Sequence, residues 1–153
     1  MKRPPAILLV DDDEDHVYVA RRAIARSEVP AEVRVASDGI EALRQLGLDP
    51  EAPDPPPPIA VVLLDVGLPG LSGWDVLKRI RESERTRRIP VVMVTSSNRP
   101  EDVRRSYELG ANSYLVKRAD RSRPGGYLAE AAHYWVDLNE APRVRQPKAV
   151  RAG

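Results

Sequence analysis

Five polar side chains fall where short apolar runs end. Asp11 and Asp12 follow the run at 7–10, Asp65 follows 59–64, Thr95 closes 91–94 and Lys117 follows 113–116. Clustered carboxylates repel one another and take up protons unless a cation joins them. An all-oxygen set with several carboxylates and room for water suits Mg²⁺, whose sites commonly include phosphate oxygens of the substrate. Lys117 adds a point charge for an anion. A carboxylate can itself be the nucleophile and form an aspartyl-phosphate. A metal and a lysine would then offset the charge that gathers on the transferring oxygens. The chemistry expected of this set is phosphoryl transfer onto a carboxylate.

These residues converge only if the runs are neighbouring strands. Residues 7–10 lie between Pro4-Pro5 and Asp11-Asp12-Asp13 and read as a strand buried on both faces. Val17, Ala20 and Ile24 then mark a helix. Residues 32–36 alternate polar and apolar, as an edge strand does. Asp38 caps a helix carrying Ile40, Leu43 and Leu46, with Glu41 as its reciprocal partner. Pro55 to Pro58 excludes both helix and central strand and reads as a stiff extended connection. It is not a domain linker, because neither flank completes a core alone. Residues 59–64 form the most apolar stretch, hence the central strand. Leu68-Pro69-Gly70 turns the chain, and Ser72 with Asp75 caps a helix carrying Val76, Leu77 and Ile80. After the strand at 91–94, Asn98 and Glu101 are expected to cap a helix carrying Val103 and Tyr107, stopped by Gly110. A short strand at 113–116 precedes a last helix over 124–139, with Leu128, Ala131, Ala132, Trp135 and Leu138 on one face.

Five strand–helix units in a row predict an α/β doubly wound parallel sheet. In such sheets ligands bind outside the carboxyl ends of the strands, which is where the polar residues fall. The length of 153 residues favours one domain, expected over 1–140. The tail 141–153 is basic, lacks apolar periodicity and is expected to be disordered. A net charge of +1 gives no electrostatic footprint for nucleic acid or membrane. The absence of Cys excludes disulfides and thiolate metal sites and fits a cytoplasmic protein. The N-terminal apolar run is too short for a signal peptide or a span. His16 and His133 are too far apart in sequence to suggest a metal site and are expected to be surface or structural. Tyr127 and Tyr134 are candidates for a dimer face, with partial burial the alternative.

The stretches ILLVDDDE, VVLLDVGLPGLSGWDVL, IPVVMVTSS and GANSYLVK together resemble the receiver domain of two-component response regulators. The resemblance runs over about residues 5–140 and implies a flavodoxin-like (β/α)5 sheet of strand order 2-1-3-4-5. It implies that Asp65 is the phosphoacceptor, taking its group from a phosphohistidine of a sensor histidine kinase. It further implies Mg²⁺ held directly by Asp12, mainly through water by Asp11, and by the backbone carbonyl of Gly67. Thr95 and Lys117 would bind the phosphoryl group, and Tyr114 would follow Thr95, so that phosphate shifts a population between conformers. The Pro-rich segment, RRIPVVMVTSS, RSYELGANSYLVK and the ending YWVDLNEAP look like the stand-alone regulators paired with phytochrome-type (bacteriophytochrome) kinases. Those form homodimers through the fourth helix, fifth strand and last helix.

Two departures matter. Receivers normally carry Lys-Pro after the fifth strand with a cis bond, whereas this chain has Lys117-Arg118. A cis bond before a non-proline residue costs about 3 kcal/mol. A trans bond or a strained loop is therefore expected, and either could displace the Lys117 ammonium. Gly67 and Ser97, two residues past Asp65 and Thr95, offer little to orient a hydrolytic water. Slow self-dephosphorylation is the expectation. The competing readings are a degenerate receiver that works as a phosphorylation-independent interaction module, and an aspartate-based phosphatase. The phosphatase would want a second acid where Gly67 stands.

Overall fold

A computed structural model describes residues 4–52, 58–118 and 122–142. The strands are β1 (Ala6–Val10), β2 (Glu32–Ala36), β3 (Ile59–Leu64), β4 (Val91–Thr95) and β5 (Ser113–Val116). The helices are α1 (Glu14–Arg26), α2 (Gly39–Gln45), α3 (Gly73–Glu82), α4 (Pro100–Glu108) and α5 (Gly126–Ala132), the last continued by a π-helical segment, His133–Leu138. All four strand pairings are parallel and the order is β2-β1-β3-β4-β5, as expected. The central strands are continuous runs of Val, Leu and Ile because helices cover both faces of the sheet. Alternate residues then point to opposite cores. Leu8, Val10, Val62, Leu64 and Met93 pack with α2 and α3; Ile7, Leu9, Val61, Leu63, Val92 and Val94 pack with α1 and α5. No helix among the described residues is long and apolar enough to cross a membrane. The Pro-rich connection from 53 to 57 and the tail from 143 lie outside the described residues.

Helix caps follow the sequence in part. Ser72 and Asp75 form the reciprocal capping box of α3. Asp38 accepts from Glu41 N at 2.8 Å, but the Glu41 carboxylate turns to Arg44 and Gln45, so the return half of that box is not made. Ile40 is exposed and Ala42 takes the inward place beside Leu43 and Leu46. At α4 the expectation fails: Arg99 is the N-cap, without a side-chain cap bond, and Pro100 starts the helix. Proline suits a first helical position, where its missing N–H is not needed. The one buried residue of α4 is Ser106, while Tyr107 faces solvent. The last helix also differs from a uniform α-helix over 124–139. It begins at Gly126, and after Ala132 its turns widen, closing with Asn139 N donating to Tyr134 O at 2.7 Å. Trp135 packs on the core as expected, but beyond it the wider turn shifts the register, so Val136 joins the core and Leu138 is exposed.

Candidate functional site

The carboxyl ends of β1 and β3 are adjacent, because Val10 pairs with Leu64. Their next residues therefore meet. Asp11, Asp12 and Asp65 each present a carboxylate oxygen, all within 4.8 Å of one another. Asp11 is 2% exposed and Asp65 8%, while Asp12 faces solvent. The Asp65 backbone is fixed by its amide donating to Val10 O at 3.0 Å. Its Oδ1 accepts from Gly67 N at 3.2 Å. Behind it, Gly73 opens α3 so close to the Asp65 carbonyl that a Cβ there would collide with backbone.

Lys117 arrives from the end of β5. Its Nζ lies 2.8 Å from Asp65 Oδ2 and 3.0 Å from Asp11 Oδ2. The Lys117-Arg118 sequence thus leaves the ammonium aimed at the acidic cluster. Burial acts to lower the Lys117 pKa, but the bonds and charges of Asp65 and Asp11 outweigh it and hold the pKa above the usual lysine value. Burial likewise acts to raise Asp11. Hydrogen bonds from His16, the Asp13 amide and Lys117 more than offset that and hold its carboxyl below the ordinary range.

Thr95 ends β4 and is buried, with Oγ1 facing the Ser97 amide at 3.5 Å. Tyr114 sits inward against the α2–α3 core and donates its hydroxyl to Ser97 O at 2.8 Å. Burial is the main reason its pKa is raised. Ser97 Oγ donates to Asp102 Oδ2, 2.6 Å away on α4. Trp74 packs against the α2–α3 core, and its indole donates to Ser106 Oγ at 3.0 Å. Thus the Thr95–Ser97 corner holds both Tyr114 and the start of α4.

The two tyrosines of the last helix separate. Tyr134 is 50% exposed, whereas Tyr127 is half-buried against the α1–α5 core with its hydroxyl 2.8 Å from His16 Nε2. Tyr127 is therefore not a free surface residue. His16 proves to be the residue that sequence reasoning underrated: its Nδ1 is 2.6 Å from Asp11 Oδ2.

The receiver resemblance is matched by comparison with known proteins. The profile of the response regulator receiver domain matches residues 7–124. This chain belongs to that family. The receiver is 37% identical to the probable methanogenesis regulatory protein FilR2 of Methanothrix harundinacea, over 91% of this chain and 88% of that protein. It is 36% identical to response regulator Rcp1 of Synechocystis, over 91% of this chain and 94% of that protein. A crystal structure of the Mn²⁺-bound form of Rcp1 superposes with a TM-score of 0.82 at 30% identity, covering 92% of this chain and all of that one (100%). The phosphorylated cyanobacterial phytochrome response regulator RcpA gives 0.83 at 31% identity, covering 92% and 100%. The receiver is a phosphoacceptor switch of two-component signalling, phosphorylated within the Asp11, Asp12 and Asp65 cluster, and homologous to phytochrome-associated response regulators. The cluster is a divalent-cation site: its donors are all carboxylate oxygens, one of them exposed enough to leave room for water.

Proposed function

We propose that Asp65 is the phosphoacceptor of a receiver spanning 1–140, fed by a phytochrome-type sensor histidine kinase. The carrying observation is the Lys117 ammonium 2.8 Å from Asp65 Oδ2, among carboxylates that need a cation. An Asp65 oxygen attacks the phosphorus of a phosphohistidine, the P–N bond breaks, and the imidazole keeps the electron pair and takes up a proton. Mg²⁺, when bound, supplies positive charge to the transferring oxygens. Asp12, Asp65 and the Gly67 carbonyl are its proposed direct ligands, with Asp11 reaching it mainly through water. Lys117 then moves its charge from the carboxylates to the phosphoryl group. Thr95 donates its hydroxyl to a phosphoryl oxygen, and Tyr114 follows because both are tied to the Ser97 corner. The signal leaves by α4, whose one buried residue is Ser106 and which is tied to the site through the Ser97 corner.

The proposed homodimer uses α4, β5 and the last helix. Tyr107, Tyr134 and Leu138 are large apolar side chains about half exposed there, at 49%, 50% and 62%. Sedimentation of the parent chain against a Tyr134→Asp, Leu138→Asp variant tests it; an unchanged mass refutes this surface.

The acceptor is tested by incubating the protein with Mg²⁺ and a small acyl phosphate. The expected product is an acid-stable, base-labile phosphoryl adduct that Asp65→Asn does not form. No adduct in the parent chain would favour the interaction-module reading, and an equal adduct in the variant would place the acceptor elsewhere. Light-dependent transfer from a phytochrome-type kinase tests the partner.

A further inference from the structure

The site has a support that the phosphoryl chemistry does not use. His16 lies in the first turn of α1 with its side chain 12% exposed. A carboxylate has no proton to give, so Nδ1–H donates to Asp11 Oδ2, at 2.6 Å. On the neutral ring Nε2 then accepts from the Tyr127 hydroxyl, at 2.8 Å. Asp11 is held on both oxygens: Oδ1 by the Asp13 amide at 2.9 Å, Oδ2 by His16 and by Lys117. Asp13 is a neighbour in sequence, and Lys117 shares its charge with Asp65. His16 alone of these three side-chain and backbone partners leads away from the site, to a residue 111 positions on.

The two ends of this chain of bonds are rigidly seated. Gly125, at φ +73°, starts α5 so near α1 that a Cβ would lie 3.0 Å from Ala23 Cβ and 3.1 Å from Val19 Cγ1. Tyr127 and Val17 both pack against the core on the α1–α5 face of the sheet. The imidazole is a rigid ring, so a rotation of Asp11 that draws Nδ1 also moves Nε2. Tyr114 lies on the opposite face of the sheet, in the α2–α3 core.

We infer that His16 is a positioning residue: it orients the Asp11 carboxylate toward the cation and, through Tyr127, makes α5 respond to occupation of the site. This gives the receiver a route to its last helix that is separate from Thr95 and Tyr114. It rests on the cation-site reading but needs no phosphorylation. Partners that orient a ligating side chain are commonly worth tenfold or more in metal affinity.

A Mg²⁺ titration of the full chain, followed by backbone amide chemical shifts, reads both effects. In the parent, amides of the acidic cluster and of residues 126–132 shift together. His16→Leu weakens Mg²⁺ binding about tenfold or more. His16→Asn restores most of that affinity, because its amide can still donate to Asp11, yet it does not reach Tyr127 and the 126–132 shifts stay lost. Tyr127→Phe, which is close to isosteric, removes the shifts at 126–132. Parent-like affinity in His16→Leu, a full α5 response in Tyr127→Phe, or no α5 response in the parent would each overturn the inference. An Asp65→Asn chain that still forms the phosphoryl adduct would instead refute the acceptor assignment and leave this titration unaffected.

Discussion

Replacing Lys117 with Met keeps most of the stem and removes the charge between Asp65 and Asp11. The contacts are 2.8 and 3.0 Å, each a gross attraction of about 6 kcal/mol at an effective dielectric of about 20. Desolvation cancels much of it. Breaking a fully buried pair costs about 3–5 kcal/mol, and an exposed one about 0–1 kcal/mol. Lys117 is 16% exposed and Asp12 opens the site to water, which places the expected loss between, at about 2–3 kcal/mol. For a domain of this size that lowers Tm by about 4–12 °C. The measurement is thermal unfolding in chelator and again in saturating Mg²⁺. A cation at about 100 times Kd adds about 2.7 kcal/mol to any chain that binds it. The variant should gain more than the parent, since in the parent the ammonium must first be displaced, so the gap in Tm narrows. Equal Tm values in chelator would refute the idea that Lys117 balances the carboxylates. A gap of the same size with and without Mg²⁺ would refute the competition.

Gly73→Ala drives a methyl into the Asp65 carbonyl and is expected to lower stability by about 1–3 kcal/mol and to slow phosphorylation; parent-like stability and rate would show that α3 can retreat. The phosphoryl group on the parent should persist for minutes or longer, because Gly67 has no side chain and Ser97 Oγ is engaged by Asp102. Gly67→Asn, with nothing within 4 Å of its Cβ, should fold normally and shorten that lifetime, and radiolabel decay that is equally slow in both chains would count against it. The pH dependence of stability has two limbs. Asp11 is held below 3.8, so its contribution is present above that value and is lost as pH falls through the folded pKa. Lys117 is held above 10.5, so its contribution is complete below 10.5 and is lost as pH rises through the folded pKa. Denaturant unfolding should show a reduced acid limb in Asp11→Asn; an identical limb would remove Asp11 from that account.

The strands were legible because a parallel sheet covered on both faces needs uninterrupted apolar runs, and Val61 to Leu64 or Val91 to Val94 can hardly be anything else. The acidic cluster was legible for a related reason, since a charge that closes such a run must sit at a strand end. His16 had no such signature. A histidine on an amphipathic helix looks the same whether it faces water or Asp11, and the tyrosine that completes its bonding is 111 residues distant. For Tyr127 the sequence left a dimer face and partial burial both open for the same reason: its burial depends on how α5 docks on α1. The cap of α4 was missed because Asn98 has the right side chain, yet Pro100 fixes the first turn and Ser97 already engages Asp102. The π-helical turns after Ala132, which leave Leu138 exposed, are announced by no local preference in the sequence.

The contact between Gly73 and the Asp65 carbonyl makes α3 an anvil. With no gap for even a methyl group behind it, Asp65, the proposed acceptor, cannot recoil when its side chain grows by a charged group. Whatever strain the new group brings must be relieved elsewhere, and the yielding parts are those held by side chains: the Ser97 corner under α4, and Lys117 with the bonds around it. Direction, in this molecule, is set by what refuses to move.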